Sequence, residues 1–313
     1  NEGNVIFKQA SGDGDVEGSQ KTFGEIPPIG AGSRFMWIPQ RGALRAGEVS
    51  DTRWDDLYVV SNSVALGYNA RSWDRSIAIG RGAEAGNVQY SNTADLNNPI
   101  IRYAHTKSIA IGDNVVNRGK ESIAIGVDIT HNNGFTGAGA GNKNISIGID
   151  ITNNNRSQAI AIGQQVSVSE IYDLAIGYDV NTTGTGYTGA IAIGNRGTQS
   201  TRGSVAIGNN ARSSNYHGVS IGRNTSSHVS NVAIGLEANA VQSGAAAIGV
   251  SVSTGNYGVS VGSNQTTGTH GVSIGKFNDT GQNAVSVGST NSATTGGVAI
   301  GSNTRAGRDG VAI

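Results

Sequence analysis

Residues 76–80 read Ser76-Ile77-Ala78-Ile79-Gly80, residues 204–208 read Ser204-Val205-Ala206-Ile207-Gly208, and residues 271–275 read Gly271-Val272-Ser273-Ile274-Gly275. Two aliphatic side chains flanking one small residue follow the period of a β-strand, whose successive side chains point to opposite faces. The closing glycine recurs at Gly67, Gly80, Gly112, Gly126, Gly148, Gly163, Gly177, Gly194, Gly208, Gly222, Gly235, Gly249, Gly262, Gly275, Gly288 and Gly301, mostly in steps of 13 or 14 residues. A period that short cannot hold a helical pair or a propeller blade. Each copy is therefore one coil of a parallel β-roll or β-solenoid, and the fold class is all-β.

The residue before the closing glycine is Ile, Leu or Val in every copy, and so is the residue two places further back, except at Ala246. These two columns are expected to form the protomer core. The column between them is Ala or Ser in all sixteen copies, with Ala at Ala65, Ala78, Ala110, Ala124, Ala161, Ala175, Ala192, Ala206, Ala233, Ala247 and Ala299. A strand face open to water would accept Lys, Thr or Glu, and Ala is a poor strand residue. Something must approach that face closely. Either a neighbouring sheet of the same chain or a subunit interface along the whole length satisfies this. The interface is the reading carried forward, with these alanines as its stripe. Coils stacked at about 4.8 Å give a rod of roughly 80 Å.

After the glycine the chain turns on polar pairs such as Tyr68-Asn69, Asp113-Asn114, Asn209-Asn210 and Arg223-Asn224. Gly and Asn tolerate positive φ, which a tight corner requires. A weaker second strand follows, as in Ala70-Arg71-Ser72 and Ala211-Arg212-Ser213.

The repeated strings at 76–80, 204–208 and 271–275 resemble the head repeats of trimeric autotransporter adhesins of the YadA type, over about residues 61–313. The resemblance implies a left-handed parallel β-roll with 13–14-residue coils, three copies of which associate side by side into a homotrimer that binds host surfaces. Residues 1–60 differ in character. Their segments Gly32 to Pro39, Gly42 to Gly47 and Thr52 to Asp56 resemble the cap that precedes such repeats in secreted bacterial and phage-fibre proteins. A cap also has a physical reason, because an open solenoid end exposes strand edges and aliphatic side chains. Phe35, Met36, Trp37, Ile38, Trp54, Leu57, Val59 and Val60 are expected to serve it.

Three wide steps mark insertions near 87–105, 130–143 and 182–189. Insertions in repeat proteins map to surface loops and often to a binding face. Tyr90, Tyr103, Phe135 and Tyr187 are the candidate contacts for an unidentified surface glycan or protein, and a trimer would present each loop three times. The function expected is a structural trimeric surface fibre or adhesin head, at the cell surface or outside the cell. A phage-tail or injection-system fibre and a passive spacer are the alternatives.

Formal net charge is zero and the chain holds 48 glycines, 5% aromatic residues and no cysteine. Neutrality leaves no electrostatic footprint for nucleic acid, and no disulfide or thiolate metal site is possible. Catalysis, metals and cofactors are not expected. Asp128, Asp150 and Asp179 each lie two residues past a closing glycine, where a turn accounts for them. His217, Tyr257 and His270 each precede a glycine that opens a strand, so all three should lie along one edge. With no apolar run long enough to span a bilayer, membrane attachment would need segments outside this chain. The start at Asn1 and the stop within a repeat at Val311-Ala312-Ile313 suggest a processed product or a fragment of something longer.

Overall fold

The computed structural model describes residues 30–55, 58–86, 88–90, 101–103, 107–131, 143–154, 158–184, 189–240 and 242–313. Like residues stack on like: Val205 pairs with Val219, Ala206 with Ser220 and Ile207 with Ile221, and the same columns continue to Val232, Ala233 and Ile234. These pairings are parallel, and among the described residues they build one wound sheet of 27 strands, with a separate two-stranded hairpin. The sequence period thus became a β-solenoid with repeats of about 14 residues.

Each coil bends at its closing glycine. At Gly67 φ is +122°, and an added Cβ would lie 2.5 Å from the carbonyl oxygen of Gly80 on the next coil. Two residues later the chain enters the left-handed region, with φ 53° at Asn114 and 54° at Asn224. The same conformation occurs at Glu237 (φ 56°) and Phe277 (φ 54°), residue types that the turn rules do not favour. Left-handed geometry costs a non-glycine residue about 1–2 kcal/mol. A hydrogen bond from each corner N–H to the preceding coil offsets part of that cost, as from Glu237 N to Arg223 O and from Phe277 N to Ser263 O, both 2.9 Å.

The interior is narrow. The column between the aliphatic pair faces inward and is opposed by residues three and five places past the glycine, such as Val115 and Asn117, Ile129 and His131, or Val166 and Val168, all buried. Where the inward position carries Asn, its amide ties coils together. Asn291 Nδ2 donates to Val287 O and Gly301 O, both 2.9 Å, and Asn291 Oδ1 accepts from Thr304 N at 3.0 Å.

The N-terminal end is built differently. Strands β1 (Gly32–Ile38) and β2 (Ala43–Val49) pair antiparallel, joined through Gly42 at φ 58°. β2 then pairs in parallel with β3 (Val64–Leu66), so the parallel ladder already begins within the first sixty residues. Ile38, Ala43, Val49, Trp54 and Val59 cluster here, with Met36 packed against them. Trp54 is fully buried and its indole N–H donates to Ala70 O at 2.8 Å. Phe35 and Trp37 are not in this cluster; they are 65% and 45% exposed. Leu57 lies outside the described residues.

In β2 the inward column starts with Arg45, opposite Ala65. Its guanidinium is buried and donates to Leu44 O at 2.9 Å, Ser63 O at 3.0 Å and Ser63 Oγ at 2.9 Å. Burial lowers its pKa to about 10.

Candidate functional site: the apolar face and the side loops

The structure inverts the expected roles of the repeat columns. Ala65, Ala78, Ala110, Ala124, Ala161, Ala175, Ala192, Ala206, Ala233, Ala247 and Ala299 are all 0% exposed within their own chain. They pack against the opposite wall of the same roll, which comes too close for a larger side chain. They do not form a subunit stripe. The flanking Ile and Val residues, expected inside, face outward: Ile125, Ile147, Ile274 and Ile300 are 37–43% exposed. The close approach read from the sequence is real, and a neighbouring sheet of the same chain causes it.

The outward aliphatic rows do not stop at the first repeat. In an antiparallel pair directly opposed residues share a face. Trp37 stands opposite Leu44 and Phe35 opposite Ala46, and Leu44 and Ala46 continue into Val64 and Leu66. Those lead to Ile77 and Ile79. One row therefore begins at Trp37 and the other at Phe35, and both follow the ladder to the C-terminal coils. Isolated exposed apolar residues need no explanation, but a contiguous apolar face beyond a few hundred Å² marks an interaction surface.

The regular strands run further into two of the wide steps than the sequence spacing suggests. Thr130 and His131 belong to the strand Ile123–His131, and Thr182 and Thr183 to the strand Leu174–Thr183. In the first insertion Val88–Tyr90 pairs antiparallel with Ile101–Tyr103, placing Tyr90 opposite Ile101 and Tyr103 opposite Val88 along the backbone. The roll closes beneath this hairpin, because Glu84 and Ala85 pair with Val116 and Asn117. Phe135 and Tyr187 lie outside the described residues.

His131 falls within the span expected as an insertion, but it belongs to the strand Ile123–His131. It sits inside the roll, 1% exposed. Its Nδ1 lies 2.9 Å from Asn117 Oδ1, an acceptor, so Nδ1 carries the proton and Nε2 accepts from Ser146 Oγ. Burial lowers its pKa to about 4, and the ring is neutral at pH 7. The strand pattern with His at an inward position was the available signal.

The polar corners behave as structure. Asn114 Nδ2 donates to Asp128 Oδ1 at 2.7 Å, and Arg81 pairs with Asp113 at 2.6 Å. His217, Tyr257 and His270 share one corner conformation, with φ 53–58°, and the Tyr257 ring stacks on His270 at 5.3 Å. Among the described residues no group of three His, Asp or Glu could hold a metal ion, and no helix is long and apolar enough to cross a membrane.

Residues 202–225 match the YadA head-domain repeat in two copies. No curated protein matches the chain. The molecule is a repetitive β-solenoid resembling a YadA-type head domain. Its fold and the match are consistent with a non-enzymatic structural or adhesive module at or outside the cell surface.

Proposed function

We propose that this chain is the head or shaft of a homotrimeric surface fibre, in which three left-handed rolls pack side by side and present the side loops for multivalent attachment. The observation that carries this reading is the continuous apolar face running from Phe35 and Trp37 along the ladder. Three features favour a further copy of the chain as its cover: an identical strand ladder of matching length, zero net charge, and the two-copy match to the head repeat. At about 25 cal/mol per Å² of apolar surface, each outward Ile covered by a neighbour contributes on the order of 1 kcal/mol. Summed along the rod, that exceeds the cost of association.

In this reading residues 1–60 cap the roll and residues 61–313 form the repeat region. Tyr90, Tyr103, Phe135 and Tyr187 lie on or beside the loops that meet a glycan or protein receptor. Outer-membrane attachment would come from other segments of the parent protein, and a virion fibre would use the same shaft. Light scattering on the purified chain tests the assembly. The expected mass is three times the 31.9 kDa of one chain, and a monomer at micromolar concentration overturns it.

A further inference from the structure

In regular coils the residue four places before the closing glycine ends a turn of its own chain. Gly258, Gly271 and Gly297 donate their N–H groups to the carbonyl three residues back, at 3.1, 3.1 and 2.8 Å. Four steps between closing glycines exceed 14 residues: Gly80 to Gly112, Gly126 to Gly148, Gly148 to Gly163 and Gly177 to Gly194. At all four the chain re-enters the roll in that same column, at Ser108, Asn144, Ala159 and Ala190, and a side chain of the preceding coil takes the N–H. Ser108 N donates to Ser76 Oγ at 3.1 Å and Asn144 N to Ser122 Oγ at 3.1 Å. Ala159 N donates to Asn144 Oδ1 at 3.0 Å and Ala190 N to Asp173 Oδ1 at 2.8 Å.

The four acceptors occupy the same column one coil earlier, and all are buried. The carbonyl of each re-entering residue is held as well, accepting from Ile77 N, Ile123 N, Ile145 N and Leu174 N at 2.8–2.9 Å. Both backbone groups are thus fixed to the coil before. A buried N–H needs an acceptor. In the three long insertions the carbonyl three residues back belongs to the inserted segment, and the side chain of the preceding coil supplies an acceptor that the insertion cannot displace. A loop held in this way leaves the roll on a fixed base, which lowers the ordering cost when its tip meets a partner.

We propose that the residue four places before the closing glycine is a clasp that positions the inserted loop: Ser76 for the first insertion, Ser122 for the second and Asp173 for the third, with Asn144 serving the 15-residue step. Asn231 makes the same bond to Ala245 N at 3.0 Å across a step of 14, so the clasp permits a loop without demanding one. The clasp is a property of the roll; that the loops it positions meet a receptor rests on the attachment reading above.

Hydrogen–deuterium exchange on the full chain tests the clasp without any receptor. Ser122→Ala should speed exchange at Asn144 about tenfold, and Ser76→Ala should do the same at Ser108. Ser286→Ala, at an equally buried serine outside the column, should leave both sites unchanged. A second test transfers the device to a coil that closes its own turn. A short Gly-Ser segment inserted between Asn256 and Tyr257 separates Gly258 from Gly255 O and should lower the melting temperature by about 5 °C. Ala245→Asn places an amide one coil before Gly258, in the column where Asn231 already holds Ala245, and should recover at least half of that loss. This test decides the matter if a serine variant misfolds. Unchanged exchange in folded alanine variants, or no recovery from Ala245→Asn, overturns the proposal. If the loops bind no receptor, both expected results stay as they are.

Discussion

Ala206 and Ile207 are adjacent in the chain and face opposite sides of one wall: Ala206 is enclosed by its own roll, while Ile207 belongs to the outward row. Their substitutions should therefore fail in different ways. Ala206→Gln forces a long polar side chain into a filled interior and should destabilise the protomer by about 3 kcal/mol or more. Ile207→Asp leaves the interior alone and, paired with Ile221→Asp, should yield a smaller species that keeps its β-sheet spectrum. Circular dichroism read beside light scattering separates the two. A folded Ala206→Gln trimer would sink the assignment of inside and outside.

The glycine corner should tolerate no side chain. In Gly67→Ala the new Cβ would lie 2.5 Å from Gly80 O, at a φ of +122°. The coil would have to part from its neighbour, and the loss should exceed about 2 kcal/mol. Asn224→Ala, at a corner whose N–H already bonds to the coil before it, should cost only about 1 kcal/mol. Thermal melting of the two variants gives the ranking, and equal melting temperatures would contradict it.

Acid should loosen the roll at His131. Its folded pKa, about 4, lies below the 6.5 of a free imidazole, so the unfolded chain binds more protons between these values. Stability contributed by the neutral ring is fully present above pH 6.5 and is lost as pH falls toward 4, by about 3 kcal/mol per chain. In His131→Asn the melting temperature should decline less steeply across that window. A pH profile identical to that of the unsubstituted chain would rule out the histidine as its source.

Removing residues 87–105 shortens the step from Gly80 to Gly112 to 13, the ordinary repeat length. Since Glu84 and Ala85 already pair with Val116 and Asn117 beneath the insertion, the shortened chain should fold and assemble. Attachment to receptor-bearing cells should fall, by more than the loss at any single site, because a trimer loses three contacts at once. Unchanged adhesion by a folded deletion variant would favour the spacer role.

The period of the solenoid was legible because Ile-Gly at a constant step leaves few architectures. The side of the wall was not, since alternation fixes only which residues share a face. Which face turns inward depends on how near the opposite wall stands, and the strand Val205–Asn209 by itself does not reveal that distance. Hydrophobicity argued for Ile inside; available width decided for Ala. The grouping of Asp51, Arg53 and Tyr58 with Arg71 around one concavity was invisible for a similar reason, since Arg71 joins the others only through the fold. His131 was read as loop because the insertion was set to begin at residue 130, inside the strand that runs to His131.

The left-handed corner has a further consequence. Since Asn114, Asp128, Gln165, Glu237 and Phe277 all occupy it with φ between 52° and 56°, the backbone there is dictated by the neighbouring coils and the side chain is almost free. The rod is thus a ruler, graduated at about 4.8 Å, on which one mark per coil can be rewritten without redrawing the scale. A lineage could change the pattern of charge or aromatic rings along this edge by single substitutions and keep the same shaft.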